Sequence, residues 1–495
     1  MKFLVWTAIG VFVAVSVLAY FPVNQLITLQ NNAFASNAIP AYAEYAAFAS
    51  SVSDPERGAN PHFNAPMSFT DSQTGSTYSN LMDYCDTNTL MYHEIFGVQN
   101  GEVSITGLGP ISNTTGLITA ICPGNLPCSD GSCPCGQITQ LSSSLPIQVG
   151  AQQITYLEGI SVDNQRTVVT GAGNGNQGLY YYNGNLGSTV QLVPGSLANG
   201  VKTSLRFSFP NAIYIQQLGF FPPNPTPGLY LYSFNSNILT HMATQTNYAN
   251  GTLEEFNPDI DESGRYIIWQ KTVDFGVNNR TSHIYLYDLG GDLVFGSTDD
   301  FGPYQVTFGG AEGFPRITTL ASTGIELFYK VSNEFGSSYS GSPYIEKIHI
   351  TQQPFSLSQA VQVLNSNQLL SYDVEGDKII TLIGSSIAIR TLSVKNYQNL
   401  QNSNTLFMSS NQSLVLEKID DNYVLATETV ANGMQATVFN TITNQLSSLG
   451  IISTQPSFNA LDIDYDPIIG TNNAYYVKDI NPNVQAIFFT LLSYC

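Results

Sequence analysis

Positive charge is scarce in this chain. Only 16 of 495 residues are lysine or arginine, against 36 acidic ones, and the net charge is −20. The basic residues form no cluster, which removes electrostatic support for nucleic-acid binding. Charged residues of both signs reach only 11%, so Asn, Gln, Ser, Thr and Tyr must supply the polar surface. That composition suits an extracytoplasmic protein. It also suits acidic surroundings, because protonating so few carboxylates leaves modest self-repulsion. Histidine is sparse too. His62, His93, His241, His283 and His349 are scattered, and none has a metal-like partner nearby in sequence. From about residue 146 onward, sustained helical periodicity is missing.

Charge is absent altogether from residues 3–43. Lys2 precedes Phe3–Ala19, which is almost wholly apolar. A signal peptide would use Val17-Leu18-Ala19 as its cleavage site. An uncleaved transmembrane anchor would run on to about residue 29. Both readings send the bulk of the chain across a membrane, to a cell surface, a virion or the exterior. The sequence then divides into 1–29 (signal peptide or anchor), 30–67 (an Ala-rich spacer with a short helix over Ala41–Ser50), 68–145 (an irregular β-rich module) and 146–495.

The six cysteines fit an oxidising compartment. Cys122, Cys128, Cys133 and Cys135 are crowded together, while Cys85 and Cys495 stand alone. Their spacing is not that of a paired C-x2-C zinc knuckle, so a disulfide-stapled loop is expected, with zinc as the alternative. Sequons at Asn113, Asn250, Asn279 and Asn411 would accept glycans in a glycosylating host.

From residue 146 short strands recur between turns. Equivalent turns fall at Asn164, Asn211, Gly264, Gly324, Gly376, Asn422 and Asp466, and each precedes a β-rich run. This spacing predicts an all-β fold, a β-propeller of about seven four-stranded blades. A strand near Ile147 is expected to join the last blade and close the ring.

Residues 254–310 are the clearest unit. Pro258, Ser263-Gly264, Ile267-Ile268-Trp269, Ile284-Tyr285 and Val306-Thr307 follow one another in the order of a repeat. The pattern resembles the WD40-like repeat of the TolB-type β-propellers. It departs from that repeat by lacking the Pro-Asp of the turn. The resemblance implies protein interaction.

The next repeat carries the same acidic-Phe-Gly triplet at the same interval. Asp274, Phe275 and Gly276 follow Gly264, and Glu334, Phe335 and Gly336 follow Gly324. Both triplets lie in long loops, 271–282 and 331–343, and Leu218–Gly228 is a third long loop. All three are expected on one face, which makes Phe220, Phe221, Asp274, Phe275, Gly276, Asn278, Glu334, Phe335, Gly336 and Tyr339 the candidate binding residues. The alternative is surface decoration with no ligand.

Catalytic patterns are mostly missing. Gly173, Gly175 and Gly178 match G-x-G-x-x-G, but Leu179–Tyr182 follows as a strand rather than a helix, so a hairpin is expected. No G-x-S-x-G elbow is present, and no sialidase-type aspartate box. Asp259, Asp261, Ser263 and Gly264 begin like an oxygen-ligand calcium loop, yet the twelfth position is Gln270. A hydrogen-bonded turn is expected there, with calcium as the alternative. Asp462, Asp464 and Asp466 have similar spacing, and no other cofactor is implied. The chain therefore reads as a non-catalytic, membrane-tethered scaffold for a protein or glycan partner. The alternatives are a structural component of a virion or surface layer, and a secreted carbohydrate-active enzyme with paired carboxylates in the channel.

Overall fold

The structure, a computed structural model, describes residues 42–492 apart from 54–66, 72–76, 82–83, 86–90, 99–113, 122–137, 141–146, 150–151, 155, 164–165, 174–175, 184–189, 199–201, 218–225, 245–246, 249–250, 275–279, 321–323, 337–338, 353–354, 385–389, 397–402, 410, 421, 432, 444, 454–460, 467–470 and 482–483. Every described element is a strand, and no helix among the described residues is long and apolar enough to cross a membrane. The signal peptide or anchor expected at 1–29 lies outside the described residues. So do Cys122, Cys128, Cys133, Cys135 and Cys495, and Asn113, Asn250 and Asn279. Cys85 ends the strand Tyr84–Cys85, whose side chains are not described.

The chain forms two compact units. One comprises 1–137, 437–450 and 491–495; the other comprises 138–436 and 451–490. The first contains a six-stranded sheet with Tyr42–Ser53 and Thr114–Ile121 at its centre. This corrects the short helix expected over Ala41–Ser50; residues 30–41 and 54–66 of the expected spacer lie outside the described residues. Alanines favour a helix locally, but Tyr42–Ser53 has an antiparallel partner on each side, Met67–Asp71 and Thr114–Ile121. Tertiary pairing overrides a weak propensity.

The second unit is a β-propeller. From Tyr156 onward the strands group in chain order into sheets, numbered here first to seventh. Their opening strands are Tyr156–Asp163, Lys202–Ser208, Gly251–Ile260, Glu312–Leu320, Leu369–Glu375, Val415–Asp420 and Leu461–Asp466. Each opening strand lies against those of the sheets before and after it, and Leu461–Asp466 lies against Tyr156–Asp163, so the series closes on itself. Six sheets fall within this unit but for Leu491, and they are six blades. The sixth sheet, Val415–Asp420 to Gln445–Ser453, is the exception to the expected seven: 437–450 groups with the other unit.

Closure comes from a strand other than the one expected. Ile138–Gln140 pairs with Val484–Leu491 and completes the seventh sheet, so the propeller strands begin at 138 rather than 146. Ile147–Val149 pairs with Gln152–Ile154 instead. In the same sheet the second strand is Thr471–Asn481.

The fourth sheet shows why these runs become strands. Gly324–Val331 alternates with period two, and both of its faces are covered. Ile325, Leu327, Tyr329 and Val331 pack with Ile268, Ile284 and Leu286 of the third sheet. Phe328 turns the other way, against Leu369, Tyr372 and Val374 of the fifth. A strand buried on both faces needs apolar residues at nearly every position, and each such side chain contributes roughly 1.5–3 kcal/mol.

Candidate functional site

Two concavities lie among the described residues of the propeller unit. The first is at the end of the central channel, with a volume of about 340 Å³. Its walls are the last residues of the opening strands, and charge is arranged around it in a repeating way. Arg206 of the second sheet faces Asp259 of the third at 3.6 Å. Arg316 of the fourth bonds Asp373 of the fifth at 2.8 Å, and Lys418 of the sixth pairs with Asp462 of the seventh at 2.7 Å. Each aspartate also accepts a backbone N–H from the following sheet: Ile317 onto Asp259, Ile419 onto Asp373 and Val162 onto Asp462. Each carboxylate thus latches one opening strand to the next. Burial raises the Asp259 carboxyl above its usual value, against the pull of Arg316 and Arg206.

Asp259 and Asp462, read from sequence as weak metal candidates, are both engaged in these latches. Asp261, a third candidate, is buried in its own turn. Its Oδ1 accepts from Arg265 and Tyr266 N–H, and its Oδ2 from the Ser263 N–H and hydroxyl. Gly264 completes the turn at φ 71°, where a side chain would press on the Ser208 carbonyl at 2.8 Å. This is the hydrogen-bonded turn expected from the sequence. The side chains of Asp464 and Asp466 are not described. Asp292, Asp299 and Asp300 come together on an exposed loop of the third sheet, and nothing further there points to an ion.

A second group of carboxylates in the channel is less fully engaged. Glu262 accepts from the Thr318 hydroxyl and the Thr319 N–H, both at 3.0 Å. Glu375 stands near Glu262 and Asp420. Burial first, and then those two charges, hold its carboxyl well above the usual value, with Lys418 pulling the other way.

The second concavity is a cleft of about 430 Å³ where the end of the third sheet meets the fourth. The register builds it. Tyr329 on Gly324–Val331 lies opposite Glu346 on Tyr344–Gln352, and Val331 lies opposite Tyr344. All four share one face. The Tyr329 hydroxyl donates to Glu346 Oε2 at 2.7 Å. Burial, followed by the Glu346 carboxylate, pushes that phenol far above its usual value, which keeps it a donor. Tyr339 meets Tyr344 edge-on, with ring centroids 5.9 Å apart. Phe308, 74% exposed, stands at the rim. Glu312 is spent on its own turn, where it accepts the N–H groups of Gly309, Gly310 and Ala311.

Among the described loop-derived candidates, Tyr339 is the one that reaches this cleft. Phe335 is buried instead, edge-on to Phe314 at 5.1 Å. Glu334 takes the ammonium of buried Lys330 at 2.7 Å, and that ammonium also lies 5.8 Å from the Phe314 and Phe335 ring centroids. Gly336 leaves no room for a side chain, since a Cβ would come within 2.1 Å of the Gly310 carbonyl. The Glu334-Phe335-Gly336 triplet therefore plugs the fourth sheet. Asp274 ends the strand Tyr266–Asp274 with its side chain undescribed, and Phe220, Phe221, Phe275, Gly276 and Asn278 lie outside the described residues. Asn411 spends its amide on the Thr429 carbonyl and its oxygen on Ser413. Glu346 and Tyr344 were missed in the sequence. The signal was a glutamate at an inward position of an otherwise apolar alternation.

No protein-family model matches the sequence, and no curated protein does. Solved structures of similar fold include an oligogalacturonate lyase in complex with manganese, at 8% identity and TM-score 0.47, covering 72% of this chain and 97% of that one. An oligogalacturonate lyase from Vibrio parahaemolyticus gives 10% identity and TM-score 0.47, over 72% and 98% of the two chains. TolB from Acinetobacter baumannii gives 11% identity and TM-score 0.37, over 74% and 78%.

Proposed function

We propose that the chain is a non-catalytic binding scaffold, tethered at a membrane by its N-terminal segment and facing the extracytoplasmic side. The sheet beginning at Val415 is counted as a blade, which makes the propeller seven-bladed. Its partner, a protein or a glycan, engages the cleft of the fourth sheet. The observation behind this reading is the cleft itself, a concave patch with aromatic walls on a rigid sheet. Glycan and peptide arrays probed with the intact chain test it. Binding should fall in Tyr344→Ala and Tyr339→Ala, and binding that is unchanged in both would remove the cleft from the function.

The grouping of Glu375 with Glu262 and Asp420 favours one second reading. A carboxyl raised well above its usual value by burial and by neighbouring carboxylates is the kind of grouping that glycoside chemistry uses for its acid and base. On this reading the channel end hydrolyses a glycan. Turnover of an oligosaccharide panel, lost in Glu375→Gln, would displace the scaffold reading.

A further inference from the structure

We propose that the cleft of the fourth sheet takes an organic cation, the ammonium or guanidinium group of a basic side chain on a protein partner. This rests on the cleft being the binding site, and it adds the chemistry of what binds there.

The argument is an inventory of what the cleft has left to offer. Four of its hydroxyls are engaged. Thr307 Oγ1 accepts from the Ile284 N–H at 2.9 Å. Ser358 Oγ accepts from the His349 N–H and donates to the Gln359 carbonyl, both at 3.0 Å. Tyr339 donates to the Ser342 carbonyl at 2.6 Å, and Tyr329 donates to Glu346. A sugar is read through many hydroxyl contacts, and most of the groups that would read it are committed elsewhere. The Tyr344 hydroxyl and Glu346 Oε1 have no hydrogen-bond partner among the described residues, and of these two the carboxylate oxygen is the charged one. Glu312, the other carboxylate, is saturated by its turn.

What surrounds Oε1 suits a cation. Tyr339 and Tyr344 set two ring walls at 63° to each other, and the exposed Phe308 offers a third. Aromatic faces around a carboxylate attract ammonium and guanidinium groups, more strongly as water is displaced. Among the described residues no lysine, arginine or histidine lines the cleft, and His283 behind it lies 3.5 Å from Glu312 rather than at Glu346. The nearest in sequence, Lys347, points to the opposite face and pairs with Glu326 at 3.3 Å. A chain of net charge −20 also draws basic partners from a distance.

Calorimetric or NMR titration of the intact chain tests this with Nα-acetyl-lysine amide and Nα-acetyl-arginine amide. The neutral counterparts are the Nε-acetylated lysine probe and Nα-acetyl-citrulline amide, with an oligosaccharide panel alongside. The basic probes should bind at least about tenfold more tightly than the neutral ones. Their binding should weaken as salt rises from about 0.05 to about 0.5 M. Glu346→Gln, close in shape, should reduce it at least about tenfold without moving the melting temperature. Tyr344→Leu should reduce it too. Equal affinity for charged and neutral probes would overturn the proposal, and so would full binding in Glu346→Gln. A neutral glycan whose binding is lost in Tyr344→Ala would overturn the cation and leave the cleft as the binding site. Array binding that ignores both cleft variants would sink the two together.

Discussion

The third and fourth sheets are built on one plan and answer it differently. Trp269 and Tyr329 hold the same place on their second strands. Trp269 faces Tyr285 across the ladder, and the two rings stack with centroids 5.8 Å apart and planes 18° from parallel. Tyr329 faces Glu346 and hydrogen-bonds it. One step further along, the third sheet has Lys271 opposite His283, and the fourth has Val331 opposite Tyr344. In the third sheet the pair closes on itself, and Lys271 lies over the Tyr285 ring at 5.6 Å. In the fourth, a carboxylate oxygen is left beside aromatic walls. A shared frame with two altered cross-strand pairs is how a rigid scaffold acquires a site without changing its fold.

The same two sheets differ at the channel, and the largest expected effect lies there. The third supplies an acid, Asp259, and the fourth a base, Arg316. The Arg316 side chain is 15% exposed and serves Asp373, while Arg206, serving Asp259, is 40% exposed. Arg316→Met strands buried carboxylates and should cost roughly 3–5 kcal/mol in urea denaturation. Arg206→Met should cost no more than about 1 kcal/mol. Equal losses would mean that the latches do not follow burial.

Next comes the plug of the fourth sheet. Phe335→Ala empties a buried ring site between Phe314 and Lys330 and should cost roughly 3 kcal/mol by the same measurement. The matching change at Phe275 asks whether the third sheet uses its triplet in the same way. A matching loss would unite the two triplets as structural elements. A small loss would leave the third-sheet loop free for binding.

The frame of this comparison was legible in the sequence and the chemistry was not. Ile267-Ile268-Trp269 and Ile325–Tyr329 stand out as strands because local alternation and bounding turns fix them. The latch between Arg316 and Asp373 spans 57 residues, and that between Asp462 and Val162 spans 300. No local pattern pairs residues a blade apart or across the ring closure. The acidic-Phe-Gly repeat was visible, and in the fourth sheet its phenylalanine is buried rather than available. A phenylalanine in a long loop looks available until the buried Lys330 ammonium beneath it is seen. Glu346 was hidden for the opposite reason, because a single glutamate within a strand usually lies on the solvated face.

The cross-strand pair itself can be exchanged. Glu346→Tyr copies the third sheet's pairing into the fourth. It should abolish binding of basic probes at the cleft while changing stability by no more than about 1 kcal/mol, since an aromatic pair replaces a hydrogen-bonded one. Retained binding in that variant would separate the cleft from the carboxylate. Tyr329→Phe is the gentler cut. It removes one hydrogen bond to Glu346, should cost about 1 kcal/mol, and frees the second carboxylate oxygen.

The smallest effect expected is in the channel, where the third sheet's Glu262 is satisfied by Thr318 and Thr319 and Glu375 is not. Burial and the neighbouring Glu262 and Asp420 raise the Glu375 carboxyl well above the usual 4.5. The sign follows from proton linkage. A carboxyl raised in the folded state binds its proton more tightly there than in the unfolded chain, so its ionisation opposes folding. The cost is full above the folded value and is relieved as pH falls through it toward 4.5. Stability should therefore climb from neutral pH into the acid range, as the sparse charge of the sequence also favours. Glu375→Gln should raise the melting temperature at neutral pH by on the order of 2 °C and flatten that climb. A variant that keeps the full acid stabilisation would move its source to another carboxyl, and Glu262 is then the next to replace. Burial raises the Glu262 carboxyl too, against the hydrogen bonds from the fourth sheet's Thr318 and Thr319, so Glu262→Gln should also raise stability at neutral pH, by less than Glu375→Gln does.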